Sequence, residues 1–389
     1  MSDPFQTLLP RRATDSLKWR LYPEDVLPLW VADMDFPAPE PVLEALRRRL
    51  DHGVLGYTEV AMSPEAGAEG LREVLVERMA SRYGWSIRPE DLVFIPGVVT
   101  GLNLACHAIG ERGDGVLVQP PVYFPFLSAP QNAGRVRQDA PLTQAAGGAY
   151  EVDWEAFEAA ITERTKLFLL CSPHNPVGRV WRRDELARMA EICLRKGVVL
   201  CSDEIHCDLL HEGHVHVPLA SLDPGIARNT ITLMAPSKTF NIAGLTCSFA
   251  IIQDAALRRR FFQARQGLVP WVNLLGITAA EAAYREGQPW LDGLLRALEA
   301  NRRLLAEAVG RDLPGLRMAA LEGTYLAWLD CRDAGIDGNP GKFFLEKAKV
   351  ALNDGEAFGT GGAGFVRMNL GCTKGLLEEA LGRMQRALA

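Results

Sequence analysis

Six short, almost wholly apolar runs recur along the middle of the 389-residue chain: Leu92–Ile95, Gly115–Gln119, Lys166–Cys171, Val198–Ser202, Thr230–Ala235 and Ser248–Gln253. No other feature constrains the fold as much. Runs this short, rich in Val, Ile, Leu and Phe and without polar alternation, read as strands buried on both faces of a largely parallel sheet. Helical patterns separate them. The clearest is Arg183–Lys196, where Leu186, Met189, Ala190 and Cys193 recur at helical spacing and Gly197 supplies a stop. The order predicts an α/β fold with helices over both sheet faces.

The last hundred residues read differently. A long helical pattern, Pro289–Val309, precedes a strand-like Thr324–Leu329, a loop rich in Gly, Asp and Asn at Asp333–Gly341, a further helix, the Gly-rich Gly355–Gly364 and a strand at Phe365–Leu370. The first 45 residues hold seven prolines and no long helix before Pro39, and are expected to wrap onto this C-terminal part. The expected organisation is a large domain over residues 46–285 and a smaller α+β domain built from residues 1–45 and 286–389.

Lys plus Arg is 42 and Asp plus Glu is 48, a formal net charge of −6. That balance argues against a general nucleic-acid binder. No apolar run reaches the roughly 18 residues of a membrane span. The opening residues contain no continuous apolar stretch of the kind a secretory signal carries. Eight cysteines form no CxxC pairs, and several sit inside apolar runs as small hydrophobes. The expectation is a reducing, cytoplasmic compartment.

In open α/β sheets, ligands bind beyond the carboxyl ends of the strands. The residues following each run are therefore the candidates. They are Pro96-Gly97-Val98-Val99-Thr100, Pro120-Pro121-Val122-Tyr123, Ser172-Pro173-His174-Asn175-Pro176, Asp203-Glu204-Ile205-His206 and Pro236-Ser237-Lys238. Together they present a helix start, an aromatic ring, an amide, a carboxylate and an amine. That set suits a planar, phosphorylated, cationic heteroaromatic with an amine placed against it. An amine nucleophile forms Schiff bases with carbonyl cofactors once burial or a nearby cation lowers its pKa. A buried carboxylate holds a ring nitrogen protonated, and backbone N–H groups at a helix start bind anions. Each residue also has a plainer reading: Lys238 as a solvated strand-end lysine, Asp203 as an N-cap, Tyr123 as core packing, Asn175 as a turn residue.

Two segments, Ser202-Asp203-Glu204-Ile205-His206 and Ala235-Pro236-Ser237-Lys238-Thr239-Phe240-Asn241, make the chain recognisable. It resembles the pyridoxal-phosphate enzymes of fold type I, the aspartate aminotransferase superfamily. Within them it is similar to the MalY/PatB-type cystathionine β-lyases, a group of cysteine C–S lyases. Further matching segments are Trp30-Val31-Ala32-Asp33-Met34-Asp35-Phe36, Gly56-Tyr57-Thr58, Pro173-His174-Asn175-Pro176-Val177-Gly178-Arg179-Val180-Trp181 and Phe365-Val366-Arg367-Met368-Asn369.

The resemblance implies a large domain with a mostly parallel mixed sheet flanked by helices, a smaller α+β domain, and pyridoxal 5'-phosphate as cofactor. Lys238 would hold the cofactor covalently and later move the substrate α-proton. Asp203 would pair with the ring nitrogen, Asn175 would bond the phenolic oxygen, His206 would support that face and Tyr123 would stack on the ring. Val98, Val99 and Ser237 would hold the phosphate, with Tyr57 reaching in from a second subunit of a homodimer. Arg367 would clamp the substrate carboxylate in a pocket lined by Ala32 and Asp33. Two positions depart from the family pattern: Ser172 stands where relatives often carry Asn, and Thr100-Gly101 replaces a common Pro-Ala.

The implied reaction is α,β-elimination from a cystathionine- or cysteine-type amino acid, giving a thiol, pyruvate and ammonia. An aminotransferase needs the same Lys, Asp, Asn and Arg, and a regulatory protein-binding role stands as an alternative of another class. Rival motifs carry less. Asp203-Glu204-Ile205-His206 resembles a helicase box but lacks an upstream GxxxxGK[ST]. Gly359-Thr360-Gly361-Gly362-Ala363-Gly364 lies too near the C-terminus for a following βαβ unit and reads as a flexible loop. His211, His214 and His216 read as an exposed turn, and no metal is expected.

Overall fold

The computed structural model describes residues 3–61 and 67–389. Its centre is a seven-stranded sheet. In chain order its strands are β1 (Leu92–Ile95), β2 (Gly115–Val118), β3 (Val136–Asp139), β4 (Thr165–Cys171), β5 (Val199–Asp203), β6 (Thr230–Met234) and β7 (Ser248–Ile251). They lie in the order β1-β7-β6-β5-β4-β2-β3. The run from β3 to β6 is parallel, and β7 is antiparallel to both its neighbours. All six apolar runs are strands of this sheet. The seventh strand, β3, lies at an edge and is partly exposed, so no apolar run announced it.

Strand β4 shows why polar alternation is missing from the sequence. Leu167, Leu169 and Cys171 enter the core on one face, while Phe168 and Leu170 enter the core on the other. Each fully buried side chain of this size contributes about 1.5–3 kcal/mol of transfer free energy. Helices α1 (Val98–Ala108) and α2 (Ala255–Gln263) supply residues to the first core, and α3 (Arg183–Arg195) covers the second through Leu186, Met189, Ala190 and Cys193. The α3 backbone starts where Glu185 accepts the Arg182 N–H at 2.9 Å and stops at Gly197, whose φ is +68°.

A second, antiparallel sheet runs β8 (Arg317–Met318), β9 (Leu326–Asp330), β11 (Phe365–Asn369), β10 (Asn353–Asp354). The long helix Gln288–Arg311 and the C-terminal helix Lys374–Leu388 join its core. Trp19, Leu27 and Leu29 lie in that same core, and Leu27–Pro28 pairs in parallel with Val350–Ala351.

Two expectations about loops are corrected. The glycine-rich stretch after Phe358 is a packed turn rather than a flexible loop. Gly362 donates to the Gly359 carbonyl and Phe365 to the Gly362 carbonyl, and a Cβ on Gly362 would meet the Gly355 backbone. The histidine stretch is an exposed turn only at residues 212–215, which include His214; its two ends are not. His211 and His216 are buried, because each side chain finds a carboxylate: Glu299 for His211 and Glu204 for His216.

Candidate active site

The carboxyl ends of the central strands bring the predicted residues to one rim. Asp203 is the last residue of β5 and sits beside Cys171 of β4 and Leu233 of β6. Asn175 follows β4. Lys238 lies in a one-turn helix, Pro236–Thr239, directly after β6. Tyr123 precedes the helix Phe124–Asn132, and its N–H donates to the Asn175 carbonyl at 3.0 Å.

Adjacent carboxylates on this rim have opposite surroundings. Glu204 is buried but saturated: it accepts from Ser202 Oγ at 2.8 Å, from the Leu219 N–H at 3.0 Å and from His216 Nε2 at 2.8 Å. Among the described residues, the Asp203 carboxylate accepts only the Ile205 N–H, at 3.1 Å on Oδ1. Burial therefore pushes its carboxyl up to about 7, with Glu204 adding to the rise and Lys238 opposing it. Burial likewise lowers the Lys238 amine to about 8, helped by Arg367 and opposed by Asp33 and Asp203. His206 is pushed down to about 3 by burial, then by Lys238 and Arg367, so its ring is neutral.

Arg367, in the middle of β11, is buried. Its Nη1 donates to Asn175 Oδ1 at 2.9 Å, and Nη2 donates to the Trp30 carbonyl at 3.1 Å and to Asn353 Oδ1 at 2.5 Å. The second sheet thus reaches the rim of the first through Arg367, and Trp328 of β9 packs into the core of the first sheet and donates to the Tyr150 hydroxyl at 3.0 Å.

A strap of irregular backbone, residues 30–36, crosses the site. Its carbonyls are held by side chains from all around. Ala32 accepts from Lys238 Nζ at 2.6 Å and from the Tyr325 hydroxyl at 2.9 Å. Asn369 Nδ2 donates to the Val31 and Asp33 carbonyls, and Asn241 Nδ2 to those of Met34 and Phe36. The Asp33 carboxylate pairs with Arg11 at 2.7 Å. Buried Asp35 pairs with Lys18 at 2.8 Å and accepts from Trp19 Nε1 at 2.7 Å.

Val98 and Val99 open α1 behind Gly97, whose φ of +106° favours glycine and whose missing Cβ leaves open space. Ser237 is half-buried beside Lys238. Tyr57 is the exception: it is 99% exposed and is not brought to the rim of its own chain. Sequence reasoning missed Tyr325, Asn353, Arg11, Asn241 and Asn369. Tyr325 lies within an apolar strand pattern, where an aromatic looks like packing; Asn241 and Asn369 stand inside segments that match the family but with no role attached, and Arg11 and Asn353 bear no local signal beyond their polarity.

The residues fit pyridoxal phosphate. The site offers an amine of lowered pKa, a carboxylate with one oxygen unpartnered among the described residues, and free N–H groups at a helix start. It also holds buried nitrogens without partners among the described residues, Nδ1 of His206 and Nε of Arg367.

Comparison with known proteins bears directly on this arrangement. The model of the aminotransferase class I and II family matches residues 24–384. The cystathionine beta-lyase PatB of Bacillus subtilis is 43% identical, over 97% of this chain and 98% of its own length. The chain belongs to the aminotransferase class I and II family. Within it, the chain falls in the MalY/PatB-type group of cystathionine β-lyases, and its chemistry is that of a pyridoxal-phosphate-dependent carbon–sulfur lyase. A solved structure of OvoB superposes with a TM-score of 0.93 at 46% identity, covering 99% of this chain and 98% of that one. Cystalysin from Treponema denticola, solved with pyridoxal 5'-phosphate, gives 0.93 at 36% identity over 100% and 99% of the two chains.

Proposed function

We propose that this lyase cleaves cystathionine- or cysteine-type amino acids to a thiol, pyruvate and ammonia. The observation that carries the reading is Lys238: an amine of lowered pKa at a strand end, facing Asp203 and Arg367. Pyridoxal phosphate, when bound, supplies a carbonyl that captures amines and a ring that accepts the electron pair of the α-carbon. The residues do the rest. Lys238 would hold the cofactor covalently and, once its amine is free, would take the substrate α-proton on Nζ. Asp203 would keep the ring nitrogen protonated, Asn175 would bond the phenolic oxygen, His206 would back that face, and Tyr123 would lie against the ring. The N–H groups of Val98 and Val99, with Ser237, would hold the phosphate. Arg367, whose Nε has no partner among the described residues, would receive the substrate carboxylate beside Ala32 and Asp33, a task suited to its fork.

The same reading includes a homodimer in which Tyr57 enters the neighbour's site. Leu50, Val54, Leu55 and Tyr57 are all exposed, an apolar stretch that a second copy would cover. Sedimentation of an active monomer would refute this. A large domain of residues 46–285 and a small domain of both chain ends fit the two sheets, which meet at Arg367, Tyr325 and Trp328. Eight free, buried cysteines suit a reducing cytoplasm. Among the described residues, no helix is long and apolar enough to cross a membrane.

The test is the visible spectrum of the purified protein with pyridoxal phosphate, followed by addition of cystathionine. The expected result is a yellow protein that releases pyruvate without any added keto acid. Amino transfer only when a keto acid is supplied would make it an aminotransferase. A protein that cannot take up the cofactor would end the proposal.

A further inference from the structure

The Ala32 carbonyl has two donors, and only one of them belongs to the machinery described above. The Lys238 amine approaches at 2.6 Å and the Tyr325 hydroxyl at 2.9 Å. Tyr325 is 1% exposed, its ring meets the ring of His206 edge-on at 5.9 Å, and its hydroxyl makes no other hydrogen bond among the described residues.

The backbone leading to Tyr325 is strained. Thr324 has φ +69°, a region that a β-branched residue rarely enters. Its surroundings hold it there. The Thr324 N–H donates to the Leu209 carbonyl at 2.7 Å, its carbonyl accepts from His211 Nε2 at 3.0 Å, and Gly323 bridges to Leu210. His211 in turn lies 3.1 Å from Glu299. The segment that leaves β5 therefore sets the angle at which β9 delivers the tyrosine.

We propose that Tyr325 is a positioning residue for Lys238: by donating to the Ala32 carbonyl it fixes the acceptor that orients the lysine amine whenever that amine is free of the cofactor. A carbonyl oxygen has two lone pairs, and here they serve two donors. With the hydroxyl removed, the carbonyl turns wholly to the lysine, the ammonium form gains a better acceptor, and the amine loses its fixed direction. The other charged or titratable groups facing Lys238 are Arg367 from β11, Asp33 from the strap, Asp203 from the end of β5 and the neutral His206. Tyr325→Phe leaves all of them in place.

The inference rests on the reading of Lys238 as the cofactor-bearing amine, and one experiment separates the two. The rate at which the full-length apoenzyme captures pyridoxal phosphate is followed by absorbance from pH 6 to 10, for the natural protein and for Tyr325→Phe. No capture by the natural protein defeats the functional reading itself. If the natural protein captures the cofactor, Tyr325→Phe is expected to raise the midpoint of the pH dependence by about half a unit or more. It is also expected to lower kcat severalfold with KM little changed. A midpoint that stays in place or falls, whatever happens to activity, overturns the positioning role, because a tyrosine that only packs would slow capture equally at every pH. If the phenylalanine variant does not fold, Thr324→Gly, which tolerates φ +69° without holding it, is judged by the same midpoint.

Discussion

The rim of the central sheet and the strap of residues 30–36 both form the site, and they do so in different currencies of chemistry. The rim offers side chains: Tyr123 after β2, Asn175 after β4, Asp203 at the end of β5 and Lys238 after β6. The strap offers backbone carbonyls, held by Arg367, Asn369, Asn241, Lys238 and Tyr325. Its own charged side chains turn to structural pairing, Asp33 with Arg11 and Asp35 with Lys18. The difference teaches that reacting groups and orienting groups need not come from the same part of the chain. A rim residue should be irreplaceable in chemistry, whereas a strap contact should matter mainly for stability and aim.

The sharpest way to break that contrast is Lys238→Ala. It should lower pyruvate formation by about 10³-fold or more and leave the cofactor removable by gel filtration. Appreciable turnover would move the chemistry off the rim. Asp203→Asn should cost about 10²–10³ in kcat through lost electrostatic support.

The same Asp203 variant makes a pH prediction. The Asp203 carboxyl lies near 7 in the folded apoenzyme, against 3.8 for an ordinary aspartate. Between those pH values the folded chain keeps a proton that the unfolded chain has lost, so this group's contribution to stability falls as pH rises. Apo Asp203→Asn should therefore resist urea better than the natural apoenzyme at pH 8, by a few kcal/mol. The gain should vanish below about pH 4. Equal stability at pH 8 would mean that Asp203 is better solvated than its burial implies.

Arg367→Lys keeps the charge but loses the fork, and should raise KM about 10–100-fold. The smallest effect on turnover belongs to the strap. Asn369→Ala frees the Val31 and Asp33 carbonyls and should destabilise the fold by about 2–4 kcal/mol, read by denaturant unfolding, while kcat at low temperature falls less than tenfold. A loss as large as that of Asp203→Asn would erase the distinction between rim and strap.

Much of this could be read along the chain. The six apolar runs became six strands because a doubly buried strand needs apolar residues on both faces, as Phe168 and Leu169 show by entering opposite cores. The edge strand Val136–Asp139 escaped notice because an exposed edge needs no such run. Residues following the strands were legible as site candidates because parallel strands all end on one side. The resemblance then attached roles to Lys238 and Asp203 that position alone left open.

What the sequence by itself determined is the periodic alternation of strand and helix, and with it the side of the sheet on which polar strand-end residues collect. Only the tertiary structure decided which neighbours each polar group meets. Asp203 and Glu204 are adjacent carboxylates in one buried motif. Yet Glu204 is closed off by Ser202, Leu219 and His216, while Asp203 keeps one carboxylate oxygen unpartnered among the described residues. His211 and His216 looked like surface residues until distant carboxylates drew them inside. Tyr325 looked like core until its hydroxyl met a carbonyl 293 positions away in the chain. Hydrophobic periodicity is local and written along the chain. Hydrogen-bond satisfaction is settled between segments far apart in sequence, and the chemistry of a buried group follows from that second account.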